Sequence, residues 1–248
     1  EGETVLRNCA REPEITWLCR FLQKMGARIC HEKEGCIRVQ GVTSLHGTEM
    51  LIPADRIVTG TYLCAAAASR GSVTVENAPE GEMEAFLEVY RKMGGQYEAN
   101  SGTLEVNGKK AVRPVSLVKT GTYPGFPTDL QAPLMAVLAG IPGQSVIRER
   151  IFDRRFGSAF QMNKMGADIR INGDMAVISG GRPLTGMQVQ AGDLRGGAAL
   201  IIAALIAEGE TCIAEAGFIN RGYEHICEDL QALGCRIWQS SSRGFGDL

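Results

Sequence analysis

A pair of short motifs recurs four times along the 248 residues, so the chain has to be assembled from copies of one supersecondary unit. LQKMGARI (22–29), YRKMGGQY (90–97), MNKMGADI (162–169) and LQALGCRI (230–237) place glycines at Gly26, Gly94, Gly166 and Gly234, spaced 68, 72 and 68 residues apart. Upstream of each stands a second marker, EGETVLRN, RGSVTVEN, PGQSVIRE and EGETCIAE. The glycines of this second set, Gly2, Gly71, Gly143 and Gly209, precede the first set by 24, 23, 23 and 25 residues.

Between the markers, apolar residues fall at helical spacing: Ile15, Leu18, Leu22 and Met25 in the first unit, Tyr223, Ile226, Leu230 and Leu233 in the last. This predicts a helix closed by each marker glycine. Beyond the glycine, alternating runs such as DIRI and MAVIS about Asn172-Gly173-Asp174 predict a β-hairpin. A second kind of helix precedes each later EGET-type strand, in TGTYLCAAAAS, TDLQAPLMAVLAG and LRGGAALIIAALIAEG. The unit therefore reads strand, helix, strand, helix, hairpin, an α/β pattern.

The last of those helices is apolar around its whole circumference from Ala198 to Ala207, which predicts burial on every side; helices inside and sheets outside is one arrangement that provides it. Three units, starting near Asp55, Asp129 and Asp193, are nearly whole. The first copy opens at its EGET strand, and the expectation is that an N-terminal portion holding at least half a unit is missing from this chain.

Composition removes several function classes. With 26 Lys+Arg against 28 Asp+Glu, the formal charge of -2 sets up no field that would draw nucleic acid. Eight cysteines form no CxxC pair and only three histidines accompany them, which points to free thiols and away from a zinc cluster. The longest apolar stretch, Gly196 to Ala207, is shorter than the roughly 20 residues that span a bilayer. The expectation is a soluble, cytoplasmic protein with no nucleic-acid or membrane partner.

Each whole unit carries an aspartate at the start of its buried helix: Asp55 in PADRIVTG, Asp129 in GFPTDLQAP and Asp193 in AGDLRGGAA. A carboxylate there can cap the helix through backbone N–H groups and the positive end of the dipole. Alternatively, three helix starts packed about a pseudo-threefold axis gather carboxylates and arginines at one end, where a substrate could bind. The arginines are Arg56, Arg155 in IFDRRFGS, Arg195 and Arg221 in INRGYE. A guanidinium fork suits a carboxylate or phosphate ligand, and it equally suits an internal ion pair, so both readings stay open. TGTYPGFPTD is a rigid loop without P-loop spacing, and no Ser-His-Asp or Cys-His order stands out.

The runs NCAREPEI, PADRIVTGTYL, YPGFPTDLQA, IFDRRF, MGADIRI, DLRGGAALIIAALIAEGET and INRGYEHICEDLQALG together resemble the UDP-N-acetylglucosamine enolpyruvyl transferase family, from Glu1 to about Trp238. Enolpyruvylshikimate phosphate synthase shares the repeated-unit architecture, but FPTDLQA and DLRGGAAL look more like the UDP-sugar enzyme. The resemblance implies an inside-out α/β barrel of βαβαββ units in two domains with the active site between them. Residues 1–53 would be the last unit of the first domain and 54–248 a three-unit second domain. The family's substrate-contacting lysine and asparagine and its mobile loop lie in a longer N-terminal part whose motifs are not found here, so this chain alone is expected to be an incomplete enzyme.

The implied reaction moves the enolpyruvyl group of phosphoenolpyruvate to the 3-hydroxyl of UDP-N-acetylglucosamine, the first committed step of peptidoglycan synthesis, with no metal or organic cofactor. Asp129 matches the general base, Asp193 and Asp55 charge-stabilising carboxylates, and Arg221 a phosphoenolpyruvate contact, with Arg195 at the same end. Thr128, Ile151 and Phe152 fall on the UDP-sugar side, and Arg155 is counted with Asp55 and Arg195 among the substrate-binding residues. Arg154 stands where the family usually has asparagine, Gly157 where methionine is common and Pro133 where glutamine is usual. The rival readings are a non-catalytic UDP-sugar-binding or structural module, its aspartates only capping helices, and another enolpyruvyl transferase such as enolpyruvylshikimate phosphate synthase.

Overall fold

The computed structural model describes residues 2–33 and 35–240; Glu1 and the last eight residues of the expected second domain lie outside them. The first unit comprises β1 (Glu3–Arg7), α1 (Pro13–Lys24), β2 (Arg28–Lys33) and β3 (Cys36–Gln40). The second comprises α2 (Arg56–Ser69), β4 (Ser72–Val75), α3 (Glu84–Lys92), β5 (Gln96–Asn100) and β6 (Thr103–Asn107). The third holds β7 (Val118–Lys119), α4 (Gln131–Ala139), β8 (Gly143–Arg148), α5 (Gly157–Lys164), β9 (Ile169–Asn172) and β10 (Met175–Gly180). The fourth holds β11 (Leu184–Thr185), β12 (Gln188–Gln190), α6 (Leu194–Ala204), β13 (Ala207–Glu208), β14 (Cys212–Ala214) and α7 (Ile226–Ala232).

In the first three units the EGET-type strand pairs antiparallel with the second strand of its hairpin, giving the orders β1-β3-β2, β4-β6-β5 and β7-β8-β10-β9. Strand β7 joins β8 in parallel, as β11 joins β13 and β12 joins β14, so each pair brackets a helix as a βαβ crossover. The expected hairpin forms with Asn172 opposite Met175, and Gly173 supplies the positive φ of +59° that the two-residue loop needs.

The marker glycines close their helices by one device. Gly26, Gly94, Gly166 and Gly234 have φ between +94° and +102°. The residue after each donates back to the helix: Ala27 N to Leu22 O, Gly95 N to Tyr90 O, Ala167 N to Met162 O and Cys235 N to Leu230 O, at 2.9–3.1 Å. This is a Schellman cap, which only a residue free of Cβ strain adopts cheaply. The returning chain is then pinned to the capped end, with His46 N, Arg113 N and Thr185 N donating to Met25 O, Met93 O and Met165 O at 2.8–2.9 Å.

The second copy differs from the expected unit in having no leading strand among its described residues. The tether is common to all three returns, and β7 and β12 follow it in the other two, but the segment after His46 is also held to the first unit further on, where Glu49 O accepts from Lys24 Nζ at 3.3 Å. The fourth unit has no hairpin strand among its described residues after Gly234. The helical face read from the first and last units is also narrower than expected. Leu18 is 53% exposed and Leu233 54%, while Cys19, not Leu18, reaches the core from α1.

Helices α2, α4 and α6 pack against one another at the centre. Every residue of α4 is buried, and α6 is buried from Gly196 to Ala203. The helix stops at Ala204, so the all-round burial begins two residues earlier and ends four residues sooner than expected, with Ala207 already in β13. Close approach depends on glycine: a Cβ on Gly60 would lie 2.4 Å from Leu130 Cδ1, and one on Gly197 2.5 Å from Ile219 Cγ1. Pro133 occupies the third position of α4, within the first turn where a backbone donor has no intrahelical partner to lose. No helix of the described residues is long and apolar enough to cross a membrane.

Candidate functional site

The three helix starts use their aspartates in two ways. Asp55 caps α2, accepting from Ile57 N at 2.6 Å and Val58 N at 3.1 Å, and Asp193 caps α6 through Gly196 N at 2.7 Å. Asp129 caps nothing. It lies inside a 3₁₀ turn, Thr128–Leu130, that leads into α4, so its carboxylate is not at the cap position and meets two arginines instead of the helix donors.

Arg155 Nη2 reaches Asp129 Oδ1 at 2.6 Å, and Arg195 Nη2 reaches Oδ2 at 3.1 Å. Arg155 comes from the loop between β8 and α5, and Arg195 from the first turn of α6, so two units supply the clamp on a carboxylate of the third unit's helix start. Each guanidinium is held from behind. Arg155 Nη1 donates to Thr128 Oγ1 at 3.1 Å, and its Cζ lies over the Phe152 ring, 4.6 Å from the centroid. Arg195 Nη1 donates to the Tyr223 hydroxyl at 3.3 Å, and that hydroxyl is 2.8 Å from Thr61 Oγ1 on α2. Asp55 is near enough to oppose ionisation of the Tyr223 phenol, which burial foremost pushes up, so it belongs to the same end of the helices.

The electrostatics follow from this geometry. Burial works against the charge on Asp129, yet the Arg195 and Arg155 guanidiniums prevail and hold its carboxyl below the ordinary 3.8. Burial likewise works against Arg195, and Tyr223 and Asp129 outweigh it to raise the guanidinium. A carboxylate gripped by two forks is a weak base. An anion that draws one fork away restores its basicity, so the arrangement couples anion binding to proton acceptance.

Thr128, Asp129, Phe152, Arg155 and Arg195 thus come together, with Phe152 54% exposed beside them and Ile151 next to it in the chain. Arg221 does not join them in this conformation. The helical spacing that opens at Tyr223 puts Arg221 at the head of the last helix; instead it ends a 3₁₀ turn, Ala216–Arg221, and α7 starts only at Ile226. The reason is Gly222, whose φ of -138° leaves the helical region and turns Tyr223 into the core. The space beside Gly222 is filled from within: a Cβ there would lie 2.9 Å from Leu194 Cδ2 and 3.4 Å from Arg195 Nη1. Arg221 itself is exposed. Arg56 makes an internal tie, its Nε 2.9 Å from Glu14 Oε1 on α1.

Two contributors escaped the sequence reading. Tyr223 was counted only as an apolar helix position, although its hydroxyl orients Arg195. Glu149, the last residue of the PGQSVIRE marker, carried no expectation at all; it is 3% exposed and accepts four hydrogen bonds.

Residues 1–230 match the family model described as EPSP synthase (3-phosphoshikimate 1-carboxyvinyltransferase). The UDP-N-acetylglucosamine 1-carboxyvinyltransferase 2 of Caldanaerobacter subterraneus subsp. tengcongensis is 44% identical over 237 residues, 96% of this chain and 57% of that protein. The UDP-N-acetylglucosamine 1-carboxyvinyltransferase of Kosmotoga olearia is 43% identical over 237 residues, 96% of this chain and 56% of that protein. The chain therefore spans little more than half the length of these relatives. Among solved structures, the enolpyruvyl transferase NikO from Streptomyces tendae superposes with a TM-score of 0.83 at 24% identity, over 94% of this chain and 56% of that one. EPSP synthase from Acinetobacter baumannii superposes with a TM-score of 0.69 at 20% identity, again over 94% of this chain and 56% of that one. The repeated α/β unit with its helices inside is thus a fold held in common with enolpyruvyl transferases, and the match over residues 1–230 places the chain in the EPSP synthase (3-phosphoshikimate 1-carboxyvinyltransferase) family.

Proposed function

We propose that the protein carrying this chain transfers the enolpyruvyl group of phosphoenolpyruvate to the 3-hydroxyl of UDP-N-acetylglucosamine, a cytoplasmic step of peptidoglycan synthesis on which cell shape and division depend. The observation that carries the reading is Asp129, a carboxylate freed from helix capping and held between Arg155 and Arg195, in a chain whose curated relatives bear the name of that activity. In this reading the domains divide near residue 53 and residues 54–248 form the second one.

Asp129 takes the proton of the sugar hydroxyl, a contribution of about 10²–10⁴-fold. The sugar oxygen bonds to the enol carbon as the methylene takes a proton. Loss of a proton from the new methyl group together with phosphate restores the double bond. Arg195 and Arg221 meet the anionic groups of phosphoenolpyruvate, and as they do so Asp129 loses part of its clamp and gains basicity. The charges of Asp193 and Asp55 oppose the positive charge developing at the enol carbon; capping engages their oxygens without neutralising them. Thr128 and Arg155 face the sugar, and Ile151 and Phe152 the uridine.

The test is phosphate release by the complete protein, with product identified by mass. Release that requires both phosphoenolpyruvate and UDP-N-acetylglucosamine supports the reading. No release, or release with shikimate 3-phosphate in place of the UDP-sugar, overturns it.

A further inference from the structure

The position six residues beyond the upstream marker glycine is occupied by Asn8, Asn77, Glu149 and Glu215 in the four units. In three of them it is an exposed turn residue with left-handed φ: +54° at Asn8, +53° at Asn77 and +58° at Glu215. The third unit departs from its siblings. Glu149 does not adopt left-handed φ, and its side chain is folded inward to 3% exposure. The repeat makes this departure visible, since the fold tolerates an exposed turn at the same place three times over.

Inside, Glu149 joins the two segments that carry the UDP-sugar side of the site. Its Oε1 accepts from Thr120 Oγ1 at 2.9 Å, Ile151 N at 2.8 Å and Phe152 N at 3.2 Å. Its Oε2 accepts from Thr128 Oγ1 at 2.8 Å. A carboxylate only accepts and a guanidinium only donates, which settles the Thr128 hydroxyl between them. Its proton points to Glu149, one lone pair takes Arg155 Nη1, and the other is left for a ligand donor.

We infer that Glu149 is a positioning residue: by fixing the Thr128 hydroxyl as an acceptor it sets the Arg155 fork that holds Asp129, and with the Ile151-Phe152 backbone it shapes the UDP-sugar subsite. The inference rests on the functional reading above. It assigns to Glu149 no contact with substrate.

Glu149→Gln tests it because the amide has one defined way to fit. Three donors converge on the Oε1 position, so the glutamine oxygen belongs there and its NH₂ is turned toward Thr128, reversing that hydroxyl. Steady-state kinetics on the complete protein should show KM for UDP-N-acetylglucosamine raised between about tenfold and 100-fold, with KM for phosphoenolpyruvate changed less than about twofold. In a Thr128→Val background the same substitution should add less than about twofold, since the link it breaks is already gone. A melting curve accompanies each variant.

Equal weakening of both substrates, or losses that multiply in the double variant, overturns the inference while leaving the functional reading standing. If Glu149→Gln does not fold, Thr128→Val alone decides: the same split in KM supports the inference, and unchanged KM values overturn it. A wild-type protein that neither binds the UDP-sugar nor releases phosphate overturns both.

Discussion

Asp129 turns its carboxylate to Arg155, with Oδ1 2.6 Å from Nη2, and leaves the donors of α4 to the 3₁₀ turn that precedes them. Asp55 and Asp193, at the same place in neighbouring units, do the opposite. Replacing Asp129 therefore removes no cap. In the complete protein Asp129→Asn should still fold, with a melting temperature lowered at neutral pH by the lost ion pairs, and lose at least about 100-fold in turnover, because asparagine keeps the shape but cannot take the sugar proton. Most of the activity surviving in a phosphate-release assay would return Asp129 to a structural role.

The clamp also has an acid signature. The folded carboxyl of Asp129 lies below its ordinary 3.8, so the stability it contributes is fully present above that ordinary value and is lost as pH falls through the lowered one. Melting temperatures of wild type and Asp129→Asn should differ most well above the ordinary 3.8 and converge as pH falls through the lowered value of the folded carboxyl. A gap that stays constant across that range would mean the two arginines do not hold the carboxylate in solution.

Arg221 separates ligand contact from ion pairing without a catalytic assay. It is exposed, and among the described residues no ion pair involves it. Arg221→Ala should then shift stability by no more than about 0.5 kcal/mol, the usual range for surface changes. Calorimetric titration should meanwhile show phosphoenolpyruvate weakened far more than the UDP-sugar, and Arg221→Lys should recover the charge but not the bidentate fork. A large loss of stability on removal would reject this assignment.

Arg154 holds φ at +55° in the turn after Phe152, a conformation in which an L side chain other than asparagine or aspartate is strained. Asparagine, usual at this position in the resembled family, should stabilise the fold by about 1 kcal/mol as Arg154→Asn. Urea denaturation at 25 °C reads the change directly, and an unchanged or lower midpoint would contradict it.

Much of this fold was legible because it is repeated. Four Schellman-capped helices, three hairpins and the central apolar helices follow from motif spacing that a single copy would not have revealed. What the spacing could not carry was the return path after His46. His46 N to Met25 O and Lys24 Nζ to Glu49 O together hold that segment on the first unit, and nothing in GVTSLHGTEMLIPAD encodes the pair. At the site, Asp129, Arg155 and Arg195 were recognisable as residue types at marked positions. Their pairing was not, since it depends on a 3₁₀ turn that interrupts the expected cap. Glu149 was invisible for a related reason: its inward turn is a backbone choice at a position where the sequence of the other units favours an outward one.

The close packing of α2, α4 and α6 inverts the usual division of labour between helix and sheet. Ordinarily a sheet is the rigid middle and helices are its replaceable cover. Here Gly60 and Gly197 meet Leu130 and Ile219 with no room for a methyl group, while the strands outside present alternate residues to solvent. Sequence drift in descendants of such a chain should spare the small residues of the middle, where nothing larger fits, while on the rim the capping glycines, more than the side chains between them, keep the record of the duplicated unit.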